Sequence, residues 1–137
     1  MRIVHFADLH LDTPFKRLPP GAARARRQAL RTTLDNILAL ARRERADAVF
    51  CAGDLFEADR LTHDTGHWLR DRFAGAGLPV YIAPGNHDWL GPTTPYGTLS
   101  WPANVHLFRS PALTRVELAP GIVLHGAAPP PERHRQP

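Results

Sequence analysis

At 137 residues, with 43% hydrophobic and 22% charged content, the chain has the size and composition of one folded soluble domain. No apolar run approaches the roughly 18 residues that a membrane helix needs, and a single cysteine, Cys51, excludes an intrachain disulfide. The net charge of +4 comes from sixteen Arg and one Lys, Lys16; the guanidinium fork suits phosphate, but a GC-rich coding sequence produces the same excess, so charge alone is weak support for nucleic acid.

The N-terminus, MRIVHFADLHLD, lacks the build of a signal peptide, because acidic residues and histidines interrupt it early. With the lone cysteine, this leads to the expectation of a reducing, cytoplasmic location. Arg2–Ala7, RIVHFA, reads as a short β-rich run that DLHLDTP breaks. After the turn RLPPG a helix is predicted from about Ala22 to Arg45, since Leu30, Leu34, Ile37, Leu38 and Ala41 recur on one face. Asp47–Gly53, DAVFCAG, is a buried strand ended by Gly. Arg60 to about Phe73 reads as a second helix, with Leu61, Thr65, Trp68, Leu69 and Phe73 on one side and Gly66 as an interruption. Gly77–Gly85, GLPVYIAPG, is a third strand.

Beyond Gly91 the pattern changes. GPTTPYGTLSWP is a loop, NVHLF, TRVEL and GIVLHGA are short strand candidates, and PPPERHRQP is Pro-rich and polar. The expected organisation is one domain over residues 1–128 and a disordered tail over residues 129–137. The fold class is α/β. Strand, helix, strand, helix, strand makes two βαβ units, hence a parallel sheet with right-handed crossovers, followed by short C-terminal strands.

Ligands bind at the carboxyl ends of parallel strands in open α/β sheets. The first strand is followed by ADLHLD with Asp8 and His10. The second is followed by AGDLFE with Asp54 and Glu57, and the third by PGNHD with Asn86, His87 and Asp88. Each motif alone is an ordinary turn. Together they put carboxylates, imidazole and a carboxamide on one sheet edge, and a divalent metal is the simplest partner. Mixed oxygen and nitrogen ligands suit Mn²⁺, Fe or Zn²⁺ better than Ca²⁺.

Other polar groups have blander readings. His5 reads as a sheet histidine and His106 as packed in its strand, while the tail leaves His134 unplaced. His63 and His67 stand at i, i+4, a spacing that can hold metal, but with no third ligand nearby they read as a solvated helix face. Arg24, Arg31 and Arg42 fall on one flank of the first helix's apolar stripe and are candidates to face a polyanion such as DNA.

DLH, GDLFE and GNHD in this order resemble the calcineurin-like metallophosphoesterases. FADLHLDTPF and WPANVHLF are similar, more narrowly, to the SbcD-like DNA repair exonucleases, over roughly Met1 to Phe108. The resemblance implies the N-terminal half of an αββα sandwich and a centre of two divalent ions, most simply Mn²⁺ with Fe or Zn²⁺ as alternatives. By that resemblance Asp8 and His10 hold the first ion, Asp54 bridges, Asn86 holds the second, His87 acts on the substrate and Glu57 is its acidic partner. It further implies a DNA exonuclease or phosphodiesterase working with an SbcC-like coiled-coil ATPase. It also implies three later histidine ligands, among them a His-x-His pair that this sequence lacks; His125 is the one downstream strand-end candidate. A truncated domain of poor activity, the ATPase-binding region missing, is therefore expected. A phosphoesterase for a small nucleotide or phosphoprotein, and a non-catalytic remnant that binds metal or nucleic acid, are the rival readings.

Overall fold

The computed structural model describes residues 1–130. The elements are β1 (Ile3–Phe6), α1 (Pro20–Arg43), β2 (Ala48–Ala52), α2 (His63–Ala74), β3 (Val80–Ala83), α3 (Pro95–Thr98), β4 (Val105–Leu107), β5 (Thr114–Ala119) and β6 (Ile122–Gly126). The first four strands form one parallel sheet in the order β1-β2-β3-β4. The last two pair antiparallel as a separate hairpin. The α/β class and the parallel sheet predicted from the sequence are those observed. The expected tail falls almost wholly on residues 131–137, with His134 among them, which lie outside the described residues.

A sheet whose right-handed crossovers all step the same way carries its helices on one face. The core follows that rule. Leu34, Leu38 and Ala41 of α1 and Leu69 and Phe73 of α2 form one buried cluster with Val49, Cys51, Val80 and Ile82 of the strands. These strand residues alternate with neighbours that point the other way, as period-two geometry requires. On that opposite face His5, Phe50, Tyr81 and His106 stand in register as one row. The Phe50 and Tyr81 rings lie 5.5 Å apart and those of Tyr81 and His106 5.7 Å. Leu124 and His125 of the hairpin border a shallow pocket over this row.

Helix boundaries follow local chemistry. Pro20 opens α1 at its first position, where its missing N–H costs nothing. α1 closes in a Schellman pattern, with Ala46 N–H bonded to Ala41 O at 2.9 Å and Arg45 N–H to Arg42 O at 3.1 Å. Arg45 takes the left-handed position that glycine usually fills, at φ 52°. α2 starts at His63 rather than the expected Arg60, because the Thr62 hydroxyl accepts from Thr65 N–H at 3.1 Å and so fixes the cap. Asp12, just beyond β1, accepts from the Thr62 N–H at 2.9 Å and ties that cap to the first loop. α3 lies where the sequence suggested only loop. One helical turn has no periodicity to read, and it is held by the buried Tyr96. Among the described residues no helix is long and apolar enough to cross a membrane.

Candidate metal centre

The segments leaving β1 and β2 run side by side past the sheet edge. Asp8 N–H bonds to Gly53 O at 3.1 Å, His10 N–H to Asp54 O at 2.9 Å, and Leu11 N–H to Leu55 O at 3.0 Å. Along them Asp8, His10 and Asp54 all take left-handed backbone angles, φ 56°, 50° and 54°. Such conformations cost non-glycine residues about 1 kcal/mol or more each. They persist where surrounding bonds over-determine them, and they gather at functional sites.

The three side chains converge. His10 Nε2 lies 3.8 Å from Asp8 Oδ1 and 3.9 Å from Asp54 Oδ2. The ligand atoms of all three lie within 4.8 Å of one another. The other ring nitrogen, His10 Nδ1, meets Glu57 Oε1 at 2.8 Å. A carboxylate accepts only, so Nδ1 carries the proton and Nε2 turns a lone pair toward the two aspartates. Glu57 Oε2 meets His87 Nδ1 at 2.9 Å. One carboxylate therefore holds two imidazoles, whose rings stand edge to face at 4.8 Å. Its hydrogen bond is the chief cause that raises the His87 pKa above the ordinary value; partial burial opposes it.

The donor set fits a divalent cation. Asp8 and Asp54 offer carboxylate oxygens and His10 a tautomer-fixed nitrogen. Among the described residues no Lys or Arg pairs with either aspartate; both face His10 instead. Cys51 offers no thiolate, since it is buried behind the sheet edge and burial pushes its thiol far up.

Asp88 sets the frame. It is fully buried. Its Oδ1 accepts from Asp54 N–H at 2.9 Å and Gly85 N–H at 2.6 Å. Its Oδ2 accepts from Leu55 N–H at 3.0 Å and from the Tyr96 hydroxyl at 2.6 Å. The second and third loops are thus locked through one side chain. Asp54 Oδ1 in turn accepts from the His87 N–H at 3.0 Å. Gly85 is required here, because a Cβ would collide with the Asp54 carboxylate and its backbone nitrogen.

Residues 1–135 match the calcineurin-like phosphoesterase family. The chain belongs to that family. It is 34% identical over 116 residues to an uncharacterized metallophosphoesterase, YhaO, of Bacillus subtilis, covering 80% of this chain and 28% of the relative. It is 28% identical over 125 residues to the SbcD component of the SbcCD nuclease of the same organism, with 86% and 30% covered. A third relative is the DNA double-strand break repair protein Mre11 of Aeropyrum pernix, 31% identical over 96 residues, with 64% and 21% covered. The chain spans less than a third of the length of these relatives. Members of that family are hydrolases that use divalent metals.

The structure thus brings Asp8, His10, Asp54, Glu57 and His87 to one edge. Asn86 is exposed in the same loop, between Gly85 and His87. His125 is exposed on the hairpin and belongs to neither metal-competent group among the described residues. Of the three candidate arginines, Arg24 and Arg42 are exposed. Arg31 is engaged: its guanidinium meets Thr65 Oγ1 at 2.6 Å and Asp64 at 3.3 Å, and it lies over Trp68 at 5.0 Å. Sequence reasoning did not find the Glu57–His10 bond or the fourfold role of Asp88. An Asp that ends a strand-turn motif beside a buried Tyr is the faint signal for the latter.

Proposed function

We propose that the chain is a metal-dependent phosphodiesterase of the DNA-nuclease type. The observation that carries this is the Glu57 bridge, which aims His10 Nε2 at Asp8 and Asp54 and leaves His87 Nε2 free for a substrate. The names of two relatives, a nuclease component and a DNA break repair protein, support the nuclease side. Asp8, His10 and Asp54 would hold a first divalent ion, with Mn²⁺ the simplest choice and Fe or Zn²⁺ alternatives. Asp54 and Asn86 would contribute to a second. Such ions, when bound, supply Lewis-acid polarisation of the phosphoryl oxygens and a nucleophile at neutral pH.

The protein's own groups do the rest. Asp54 is fixed by the His87 N–H, so its other oxygen keeps a constant direction. Water attack on phosphorus expels an alkoxide, which needs a proton. His87, whose protonated form Glu57 favours, would deliver it from Nε2, and such general acids contribute about 10²–10⁴-fold. DNA would approach over the end of α1 beside the site. Arg24, on the first turns of α1, and Lys16 and Arg17, just before them, are all exposed and would meet it there. Arg42 is about 27 Å further along the helix, and Arg31 spends its charge on Asp64. An SbcC-like ATPase as partner belongs to the same reading.

The test is a Mn²⁺ titration run beside a phosphodiester assay on duplex DNA and on a small aryl phosphodiester. Wild-type protein should bind Mn²⁺ at the Asp8–His10–Asp54 position and cleave slowly, since Asp54 and Asn86 alone would contribute to the second ion. His87→Asn should keep the metal and lose about 10²–10⁴ in kcat, whereas Asp54→Asn should lose the metal. Metal loss in His87→Asn would show the roles to be assigned wrongly. Cleavage of the small ester with none of DNA would leave the phosphoesterase and remove the nuclease.

A further inference from the structure

His63 and His67 open α2 on its solvent side, and the fold gives them no catalytic neighbour. Their Nε2 atoms lie 3.2 Å apart and their ring centroids 4.3 Å. Metal–imidazole bonds of about 2.0–2.1 Å that close on this separation subtend about 100° at the ion. That angle sits between the right angle of square or octahedral coordination and the tetrahedral one. The bite of a chelate is therefore already formed. In the metal-free chain the two rings satisfy each other with a single N–H, and protonating both would set two cations side by side.

The turn that carries the rings is also held. Thr62 caps the turn that carries them, and its hydroxyl meets Thr65 Oγ1 at 2.8 Å. Asp12 fixes the Thr62 N–H from the neighbouring loop. Part of the backbone ordering that a flexible segment would undergo on binding is thus completed by folding. Asp64, the adjacent carboxylate, is turned to Arg31. His63 is exposed and forms one wall of an open groove with Thr62, Gly66, Thr93 and Leu99. Water can reach the remaining coordination positions.

We propose that His63 and His67 chelate a borderline divalent transition ion, of the Zn²⁺, Ni²⁺ or Cu²⁺ class, at a site separate from the Asp8–His10–Asp54 centre. Two imidazoles and no carboxylate favour these later ions over Mn²⁺ and Mg²⁺. The carboxylate-rich centre at the sheet edge leans the other way, so the two sites rank these metals differently. Spacing alone reads this pair as a solvated helix face; the convergence of the two nitrogens is what changes the reading.

The test uses the full chain carrying His10→Gln, the residue common to both groups of potential ligands at the sheet edge, so that this edge contributes least, with Ni²⁺ as the probe. Calorimetry should show one Ni²⁺ event and none for Mn²⁺. Proton spectra should show selective broadening of the His63 and His67 rings. Either His63→Gln or His67→Gln should weaken the event by about tenfold or more, since even outer-shell losses reach that size. Ni²⁺ binding that survives both substitutions belongs to other histidines and overturns the proposal. Because His63 is exposed, His63→Gln decides the matter alone if His67→Gln fails to fold.

Discussion

Replacing Glu57 by Gln separates the two halves of the site with one atom. The carboxylate accepts from His10 Nδ1 at 2.8 Å and from His87 Nδ1 at 2.9 Å. A carboxamide has one acceptor oxygen and one N–H₂ group. It can serve one ring, and then presents a donor to the other ring's donor. The unserved ring must swing away or move its proton to Nε2. If that ring is His10, its Nε2 lone pair is gone and the proposed first metal position loses its nitrogen ligand. Loss of such a supporting partner costs about 10–100-fold in metal affinity or activity, or about 1.4–2.8 kcal/mol at 1.4 kcal/mol per tenfold. Mn²⁺ calorimetry on wild type and Glu57→Gln measures the metal half. Proton titration of the metal-free histidine rings measures the other, and His87 should fall back toward the ordinary range. Unchanged Mn²⁺ affinity together with an unchanged His87 titration would refute the bridge.

The sign of the pH dependence follows from the same bond. His87 is raised by Glu57, so its protonated form is favoured in the folded chain. That contribution to stability is fully present below the unfolded imidazole value of about 6.5 while Glu57 stays ionised. It is lost as pH rises through the raised folded value. The stability gap between wild type and Glu57→Gln in metal-free protein should therefore be widest on the acid side of that window and close above it.

Other outcomes follow from single contacts. Asp88→Ala strands three backbone N–H groups and the Tyr96 hydroxyl; at about 1–3 kcal/mol for a buried group left unpaired, partly relieved by water, denaturant unfolding should show a loss of about 3–5 kcal/mol. Arg45→Gly should raise stability by about 0.5–1 kcal/mol, because the left-handed cap at φ 52° suits glycine; a loss would mean that the Arg45 side chain carries unseen packing. Neutralising Lys16, Arg17 and Arg24 together should flatten the salt dependence of DNA binding by up to about 0.9 per cation in the log–log slope, and Arg31→Ala should instead lower stability.

The sheet edge was readable because three successive strands each ended in ligand-type residues, and strand order makes those ends neighbours. α1 and its apolar face were readable from Leu30, Leu34, Leu38 and Ala41 at helical spacing. What escaped depends on contacts that spacing does not encode. Glu57 and His10 are 47 positions apart, and nothing in either loop alone says that one carboxylate reaches both rings. Arg31 stands on the same helical flank as Arg24, yet Thr65 and Asp64 on α2 claim it. α3 is a single turn, set by a tertiary bond from Tyr96 to Asp88.

The trio Asn86, His87 and Asp88 shows why neighbouring residues in such a loop answer to different pressures. His87 is half exposed and bonded to one acidic partner, so its replacement leaves the fold little changed. Asp88 is buried and bonded four times, so its replacement opens the fold beneath the site. Between them run the bonds that hold Asp54 at a backbone angle it would not choose alone. Asp88 fixes the Asp54 N–H, and Asp54 fixes the His87 N–H. The strain at Asp54 is thus opposed by bonds from the next loop, and the two loops can only be right together. A lesion at Asp88 should accordingly abolish metal binding through loss of geometry while Asp8, His10 and Asp54 are all still present. A lesion at His87 should leave that geometry standing.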